Sequence, residues 1–446
     1  MQPAHILVAS YVGAILVGTV LLSMPIAWHD GAEVSPVDAL FTATSAVCVT
    51  GLIVKDTPVD WSYFGQGVIL LLIQIGGLGL MTFSTFFVYT MGRRVALRER
   101  VLVRETFGDI LGDDPKTIVT SILKMTILFE ATGIVLLFLR FSRDLSTGRA
   151  LFVSVFHSIS AFCNAGFSLF STSFMNYRSD PWLNFVVMAL IVIGGLGFPV
   201  LADIARRPGR RRHGDMRPLA LHTRMVLVLT AGLIVTGSVA CYFLEMNHTL
   251  SGYPAGTRIM SSVFLSVTSR TAGFNTLDTS ALSTATLFLV MMLMFVGASP
   301  GSTGGGIKTT TFGIFLAMAR ARLRGQDETN VFRRTIPREV SNRSLAVFAA
   351  SLSVVLMFCL ALLVTERGSL GAERDMFRNV TFETLSAFGT VGLSTGVTPS
   401  LSTAGRILVS ALMLVGRIGP LTMVMMVAGR QKVVSFEHPR EEIMIG

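Results

Sequence analysis

Long apolar segments separated by short polar ones occupy most of this chain. Seven of them approach or exceed the roughly 20 apolar residues that a helix needs to cross a bilayer. They are 6–24, 68–91, 183–201, 225–244, 286–297, 345–364 and 408–428. Shorter apolar runs lie between them, such as 38–47, which at 1.5 Å per residue extends only about 15 Å. The pattern predicts membrane-spanning helices that alternate with half-length helices.

A short motif centred on glycine follows each half-length segment and occurs four times. Its glycines are Gly51, Gly166, Gly273 and Gly392, which stand 107 to 119 residues apart. A threonine follows each glycine by six residues, and a serine precedes it by six in every copy except the third, which has Val267. Because a repeat at a fixed period sets the architecture of a chain, four units of helix, half-helix, loop and helix are predicted.

These units give the predicted helix positions. They are 6–24, 38–47 and 68–91 in repeat 1, 118–139, 150–162 and 183–204 in repeat 2, 225–244, 258–269 and 286–320 in repeat 3, and 345–364, 377–388 and 406–428 in repeat 4. The predicted divisions are repeat 1 with a cytoplasmic linker (1–116), repeat 2 with a basic linker (117–220), repeat 3 with an intramembrane gating loop (221–342), repeat 4 (343–429) and a cytoplasmic C-terminal tail (430–446).

Two full crossings per repeat return the chain to its starting side, so all four repeats share one orientation. They can therefore surround an axis along the membrane normal, whereas the inverted repeats of many carriers need an odd number of crossings. The predicted fold is an all-α polytopic membrane protein. It has four covalently linked helix–pore helix–helix repeats around a pseudo-fourfold central pore, with about eight transmembrane helices plus four half-helices.

Composition agrees with a membrane protein, since 51% of the residues are hydrophobic and 14% are charged. The mean hydropathy of +0.64 is too high for an ordinary soluble domain. The first apolar segment lacks a basic n-region and an A-x-A-like cleavage site, so we expect a retained helix rather than a signal peptide. The four cysteines lie in apolar surroundings without ligand-type spacing, which implies neither disulfides nor a zinc site.

Basic residues predict the orientation. The segments between repeats and the tail carry 23 lysines and arginines, and the loops within repeats carry ten. By the positive-inside rule the N- and C-termini are cytoplasmic and the glycine loops open outward. The net charge of +10 then needs no nucleic-acid partner. The basic run 206–215 is explained as a topogenic signal, although binding to anionic membrane lipid or to another partner stays open.

The glycine loops are predicted to line a path for a cation. Backbone that ends a half-helix inside the membrane is tolerated only where it lines a cavity or is buried in protein. Rings of carbonyl oxygens can replace the hydration shell of a bare cation, and glycine accepts the backbone angles that this requires. Four packing glycines in ordinary helices are the alternative, which leaves the shared threonine unexplained. The predicted filter comprises Val49, Thr50, Gly51, Asn164, Ala165, Gly166, Thr271, Ala272, Gly273, Thr390, Val391 and Gly392.

Arg270 breaks the symmetry of the repeats, because the other copies have Cys48, Cys163 and Gly389 at its position. We expect Arg270 to brace the third loop from behind rather than to face the cation.

The second helices contain a further repeat, I-G-G-L-G at 75–79 and 193–197 and V-G-R-I-G at 415–419. The third copy departs from it with a proline and several glycines that no helix accommodates smoothly, so a flexible loop just below the filter is predicted. It only superficially resembles a phosphate-binding loop, since Ile307 stands where that motif needs lysine. The predicted gate residues are Gly297, Ser299, Pro300, Gly301, Ser302, Thr303, Gly304, Gly305, Gly306, Lys308 and Arg417.

Arg417 is a charge within the predicted membrane region, and such a charge is functional by default. A structural pairing with an acid such as Glu130 is the alternative.

The motifs at 44–52 (TSAVCVTGL), 160–167 (SAFCNAGF), 269–275 (SRTAGFN) and 386–393 (SAFGTVGL) resemble those of the Trk/Ktr/HKT superfamily of K⁺ transporters. The resemblance covers nearly the whole chain. Trk-type subunits have two additional N-terminal helices, whereas the first repeat here begins at about His5, so the chain is more similar to the Ktr-type membrane subunit.

The resemblance implies a channel-like subunit for potassium uptake in the bacterial plasma (inner) membrane. In the plant branch a serine at the first filter glycine accompanies sodium selectivity, so Gly51 implies K⁺ as the transported ion. One glycine per loop suggests looser discrimination against sodium than a filter with two. In the family the loop of repeat 3 gates conduction, and an arginine at the place of Arg417 forms an electrostatic barrier.

The implied partners are membrane lipid, a second copy in a homodimer, and an octameric cytosolic ring of RCK-type nucleotide-binding regulatory subunits (KtrA-like). The apolar C-terminal residues 443–446 are a candidate contact for the dimer or the ring. No bound cofactor is expected, and Na⁺ is a possible activator.

The sequence has no catalytic constellation or ATP motif, so we expect neither an enzyme nor a primary pump. An ion-coupled carrier of a small solute and a non-transporting membrane scaffold are the alternatives to a pore.

Overall fold

A computed structural model of the chain describes residues 3–29, 31–79, 115–212, 219–367 and 373–419. Several predicted features lie outside these residues. They are most of the linker after repeat 1, part of the basic run 206–215, the predicted ends of the second helices of repeats 1 and 4, and the tail with its residues 443–446.

The described residues are mainly helical. The α-helices are α1 (Pro3–Leu22), α2 (Pro36–Val47), α3 (Thr57–Asp60), α4 (Tyr63–Leu78), α5 (Pro115–Phe141), α6 (Thr147–Phe162), α7 (Pro181–Leu196), α8 (Phe198–Arg212), α9 (Leu221–Glu245), α10 (Ala255–Thr268), α11 (Thr284–Phe295), α12 (Thr309–Leu323), α13 (Arg338–Thr365), α14 (Glu373–Gly389) and α15 (Thr403–Ile418). Strands β1 (Thr329–Val331) and β2 (Arg334–Ile336) pair antiparallel in the polar segment before α13.

Helices occur at all eight positions predicted for the first helices and the half-helices. The half-helices α2, α6, α10 and α14 contain 12 to 17 residues each. The start of α2 follows from its sequence, because Ser35 and Asp38 form a reciprocal capping box. Pro36 at the first helical position has the backbone angle that a helix needs there.

Each second helix begins at a side chain that accepts a hydrogen bond from the backbone amide three residues later. Such a cap satisfies one of the free amides at a helix start and is worth about 1 kcal/mol. The capping residues are Ser62, Asp180, Ser283 and Ser402. The length of each loop between half-helix and second helix is therefore set locally.

Three of the second helices end at a glycine inside their predicted span. Helices α4, α7 and α15 stop one residue before Gly79, Gly197 and Gly419, whose φ angles are +77°, +89° and +93°. In repeat 2 the chain turns by 98° between α7 and α8, so the predicted single helix 183–204 is wrong. A break was predicted only for repeat 3. A Cβ on Gly197 would lie 2.6 Å from the carbonyl oxygen of Pro300, so the loop of repeat 3 packs directly against this break.

Three helices among the described residues are long and apolar enough to cross a membrane, namely α5 from Val119, α9 and α13. The bent pair α7–α8 supplies a fourth candidate. Apolar side chains face outward on these helices; Leu360 and Val364 on α13, for example, are 65% and 66% exposed. Such surfaces suit contact with lipid. The predicted total of about eight transmembrane helices stays a prediction.

The first and last predicted repeats pack against each other. Helix α2 of the first predicted repeat contacts α15 of the last. The Arg406 guanidinium forms an ion pair with the Asp38 carboxylate, and it also donates to the Pro399 carbonyl at 2.9 Å. Only 5% of the Asp38 side chain is exposed. Removing one member of a buried pair is strongly destabilising because the other charge stays buried.

We therefore expect Arg406→Leu to destabilise the protein by about 3 kcal/mol, as a lower thermal midpoint of the purified protein in detergent. Arg378→Leu is the matched control. Its partner Asp375 has a side chain that is 64% exposed, and such an exposed ion pair contributes less than about 1 kcal/mol to stability. Equal effects of the two substitutions would contradict the role given to the buried pair.

Candidate functional site

The four motif glycines form a closed ring. A Cβ built on Gly51, Gly166, Gly273 or Gly392 would overlap the backbone of the next loop in that order, and the fourth returns to the first. The overlapping atoms are, in the same order, the carbonyl oxygens of Ala165, Ala272, Val391 and Thr50. Loops more than 100 residues apart in the chain therefore touch backbone to backbone. Repeats 2 and 4 lie on one diagonal of this ring, and repeats 1 and 3 on the other.

The backbone of each loop alternates in handedness. The residue two before each glycine has a positive φ: +56° at Val49, +60° at Asn164, +77° at Thr271 and +48° at Thr390. The glycines themselves have φ of +72° to +91°, and the residues between them are not in this region. Such alternation turns successive carbonyl groups toward one side of the chain, as a carbonyl-lined path requires.

The sequence did not predict the strained backbone of these four residues. Three of them are β-branched, and a β-branched residue with positive φ is a genuine outlier. Each costs about 1 to 3 kcal/mol and persists only where the surroundings over-determine it. Strained backbone of this kind concentrates at functional sites. The sequence carries no direct signal for it, since valine, asparagine and threonine are common in many other conformations.

The serine six residues before the glycine holds the loop to its half-helix. In repeat 1 the Ser45 hydroxyl accepts from the Gly51 amide at 3.1 Å, and Ser386 does the same for Gly392 at 3.1 Å. In repeat 2 the Ser160 hydroxyl donates to the Phe167 carbonyl at 2.8 Å. The recurring serine therefore has a structural role that the pattern alone did not assign.

The third repeat has Val267 at this position, and the residue after it makes the equivalent hydrogen bond. The Thr268 hydroxyl donates to the Phe274 carbonyl at 2.8 Å.

Glycines of the second helices touch the ends of the half-helices. A Cβ on Gly76, Gly194 or Gly416 would overlap the carbonyl oxygen of a residue four before the ring glycine of the same repeat. Those residues are Val47, Phe162 and Phe388. The repeated I-G-G-L-G pattern thus provides the close helix approach that supports each loop from behind.

A cavity of about 360 Å³ lies against one face of the ring. All four ring glycines line it, together with the carboxylate-bearing residues Asp56 and Asp278. Burial raises the pKa of the Asp56 carboxyl, and a hydrogen bond from Ser171 opposes that shift. Two acidic residues in a concave mouth attract cations.

The threonine six residues after each glycine is buried in three of the four repeats. Thr57, Thr279 and Thr398 each begin a short helical turn, whereas Thr172 is exposed and lines the cavity.

The predicted gating loop lies directly against the ring. Its Gly305 amide donates to the Thr390 hydroxyl at 3.0 Å, and a Cβ on Gly304 would overlap the Thr271 hydroxyl. Val296 and Ile307, at the two ends of the loop, pair as an isolated parallel bridge. The loop is therefore a compact, closed segment rather than an extended connection.

Repeat 2 holds the other side of this loop. The Ser299 amide donates to the Gly195 carbonyl at 3.1 Å. The Gly301 carbonyl accepts from the Phe198 amide at 3.0 Å, at the bend between α7 and α8. Inside the loop, Lys308 Nζ donates to the Gly304 carbonyl at 2.7 Å. Ser299 and Thr303 are fully buried.

Arg417 joins the loop to the first repeat. Its guanidinium donates to the carbonyl oxygens of Thr303 in the loop and Gly76 in α4. The Glu130 carboxylate instead accepts a hydrogen bond from Gln74 at 3.3 Å, so the alternative pairing of Arg417 with Glu130 is not what the structure has. Arg417 is thus a cation bound by neutral carbonyls beside the loop.

Arg270 lies behind the third loop, against Ile191, Val192 and Ala298. It is 8% exposed, and its Nε has no hydrogen-bond partner among the described residues. It does not line the cavity at the ring.

The chain matches the family model described as "TrkH: Cation transport protein" over residues 5–434. It is 39% identical to the Ktr system potassium uptake protein B of Bacillus subtilis, over 100% of this chain and 97% of that protein. It is 35% identical to the potassium/sodium uptake protein NtpJ of Enterococcus hirae, over 100% and 98% of the two chains. The resemblance to the Ktr type is therefore confirmed.

The crystal structure of the potassium transporter TrkH from Vibrio parahaemolyticus has the same fold, with a TM-score of 0.73 over 95% of this chain and 84% of that one, at 18% identity. The family is one of transport proteins rather than of enzymes. With its apolar helices, ring of glycine loops and full-length relatives, the chain is a membrane protein that belongs to the TrkH family of cation transport proteins.

Proposed function

We propose that this chain is the channel-like translocating subunit of a potassium uptake system in the bacterial plasma membrane. The observation that carries the proposal is the ring of four loops, each with a left-handed residue two positions before a left-handed glycine. Rings of backbone carbonyls discriminate among bare cations. The names of the relatives, Ktr system potassium uptake proteins in two bacteria, support potassium as the cargo.

In the proposed filter the carbonyl oxygens of residues 49–51, 164–166, 271–273 and 390–392 bind K⁺. The four repeats then divide at the predicted boundaries 116, 220, 342 and 429 around one pore. Asp56 and Asp278 raise the local concentration of cations at the outer mouth. The name of the Enterococcus relative, a potassium/sodium uptake protein, supports sodium as a possible activator or second ion.

In the proposed gate the loop 297–308 closes the path on the cytoplasmic side of the filter. Its contacts with Thr390 and Thr271 support this, since they leave the loop directly below two of the four filter segments. Arg417 adds a positive charge at the same level, which repels a permeating cation. The gate opens when the helices that flank it move and the hydrogen bonds to repeat 2 break.

The proposed assembly is a homodimer in the inner membrane, with cytoplasmic termini and a cytosolic RCK-type ring that binds nucleotide. The relatives are named as parts of a Ktr system, which supports a partner subunit. No feature of the described residues favours a carrier of an organic solute.

Potassium flux through the purified chain in liposomes tests the proposal. We expect flux that follows the potassium gradient, that needs no organic substrate, and that rises when the regulatory ring is added. Protein-free liposomes are the control. No ion flux at all, or flux only with an organic solute, would favour a scaffold or a carrier.

Gly51→Ser tests the filter. The new Cβ would overlap the Ala165 carbonyl and disfavour the +91° backbone angle, so we expect the apparent potassium affinity to fall about tenfold and relative sodium permeation to rise. Gly13→Ser is the matched control, because a Cβ there meets open space. If uptake assays show unchanged potassium affinity and selectivity in Gly51→Ser, the assignment of repeat 1 to the filter is wrong.

Deletion of residues 302–306 tests the gate. The deletion removes the hydrogen bonds to Thr390 and to Phe162, so we expect higher basal potassium flux and less dependence on the regulatory ring. The preference for potassium over sodium should stay within about twofold of the parent because the ring glycines are unchanged. Unaltered flux from a correctly assembled deletion variant would refute the gate.

A further inference from the structure

Two opposite half-helices carry a buried polar side chain at the same place, nine residues before the ring glycine. It is His157 in repeat 2 and Glu383 in repeat 4. The corresponding residues on the other diagonal are Thr42 and Phe264. His157 is fully buried and Glu383 is 1% exposed. Neither residue is part of the proposed filter or gate.

Both side chains make equivalent hydrogen bonds to the loop just outside the filter. His157 Nε2 lies 3.0 Å from the Ser168 hydroxyl and accepts from the Leu169 amide at 3.3 Å. Glu383 Oε1 accepts from the Ser394 hydroxyl and from the Thr395 amide, the latter at 3.2 Å. In each loop these partners are the second and third residues after the glycine.

The loop segments themselves match. The Ser168 hydroxyl accepts from the Phe170 amide at 3.0 Å, and the Ser394 hydroxyl accepts from the Gly396 amide at 2.9 Å. Each serine therefore has its own proton free to donate to the buried anchor. The other two repeats have Ile53 and Asn275 at this position, so the serine and the anchor occur together.

The tautomer of His157 follows from its partners. Nε2 accepts a backbone amide proton, so the ring proton is on Nδ1, which lies 2.8 Å from the Val153 carbonyl. Five phenylalanine rings surround the imidazole with centroids 5.0 to 6.4 Å away. Such packing fixes the acceptor nitrogen in place.

On the other diagonal the position bears no such anchor. The Thr42 hydroxyl has no hydrogen-bond partner among the described residues, and phenylalanine at 264 has no polar atom to offer. A neighbouring repeat holds the third loop instead, since the Asn275 amide donates to the Ser173 hydroxyl of repeat 2 at 3.1 Å.

We infer that His157 and Glu383 are positioning residues for ion selectivity, which hold the two filter loops of one diagonal at a fixed separation through the serine that follows each filter glycine. The inference rests on the proposed function of the ring as a filter. A filter held on this diagonal keeps its carbonyls from closing around the smaller sodium ion.

His157→Phe is the first test, because it removes the acceptor but installs the residue that repeat 3 has naturally in a pocket of aromatic rings. Ser394→Ala removes the loop-side partner of Glu383 at a half-buried position. Flux of potassium and of sodium is measured for each full-length variant in liposomes. We expect the potassium-to-sodium flux ratio to fall about fivefold for His157→Phe and about threefold for Ser394→Ala.

Two controls separate positioning from general damage. Thr42→Val is isosteric and removes a hydroxyl with no partner at the equivalent position, so its flux ratio should equal that of the parent. Glu383→Gln keeps one oxygen to accept from Ser394 and Thr395 and replaces the oxygen that accepts from Thr398 with an amide nitrogen, so its ratio should stay within about twofold.

A parent-like flux ratio in both His157→Phe and Ser394→Ala would overturn the inference, and so would an equal loss of selectivity in Thr42→Val. A loss in Glu383→Gln as large as that in Ser394→Ala would assign the effect to the charge or to the Thr398 contact rather than to the serine, and would also overturn the inference. If His157→Phe does not fold, Ser394→Ala decides alone. An unmodified chain that passes no potassium would refute the proposed function first, whereas normal parent flux with unaltered variants would refute only this inference.

Discussion

The constraint on which this structure depends is that backbone amides and carbonyls inside a membrane must find partners within the protein. Each half-helix ends where lipid offers none. The loops meet this constraint by bonding back to their own helix, as the Thr50 and Val391 amides do to the carbonyls of Ser45 and Ser386 at 2.8 Å. The carbonyls that remain belong to the alternating segments of the ring. In the proposed filter, these are the carbonyls that bind the cation.

Close contact between glycines holds this arrangement together. The ring forms because nothing stands between the backbones of adjacent loops, and the second helices reach the half-helix ends through Gly76, Gly194 and Gly416. The strain of positive φ at Val49, Thr271 and Thr390 persists because neighbours on every side fix these residues. A single methyl group at one of these contacts therefore acts on several loops at once.

The loop of repeat 3 obeys the same constraint by other means. It takes amide and carbonyl partners from repeats 2 and 4, and it contacts the bend between α7 and α8 at Gly197. Arg417 binds backbone carbonyls rather than a carboxylate, so its charge is solvated by dipoles without being neutralised. A half-buried cation with a net charge beside the ring suits a barrier better than it suits a structural ion pair.

The sequence by itself determined the helices, the half-helices, the glycine loops and the family. Hydrophobic runs, capping residues and the recurring glycine are local signals, and four copies of one motif reinforce each other. It did not determine where the second helices end, because glycine accepts both helical and positive φ angles, and the sequence does not show which of them Gly79, Gly197 and Gly419 adopt. It also did not show the left-handed residue two positions before each ring glycine, the partners of Arg417, or the matching hydrogen bonds of His157 and Glu383. Those depend on contacts between repeats and on side-chain directions within a closed ring, which only the tertiary structure decides.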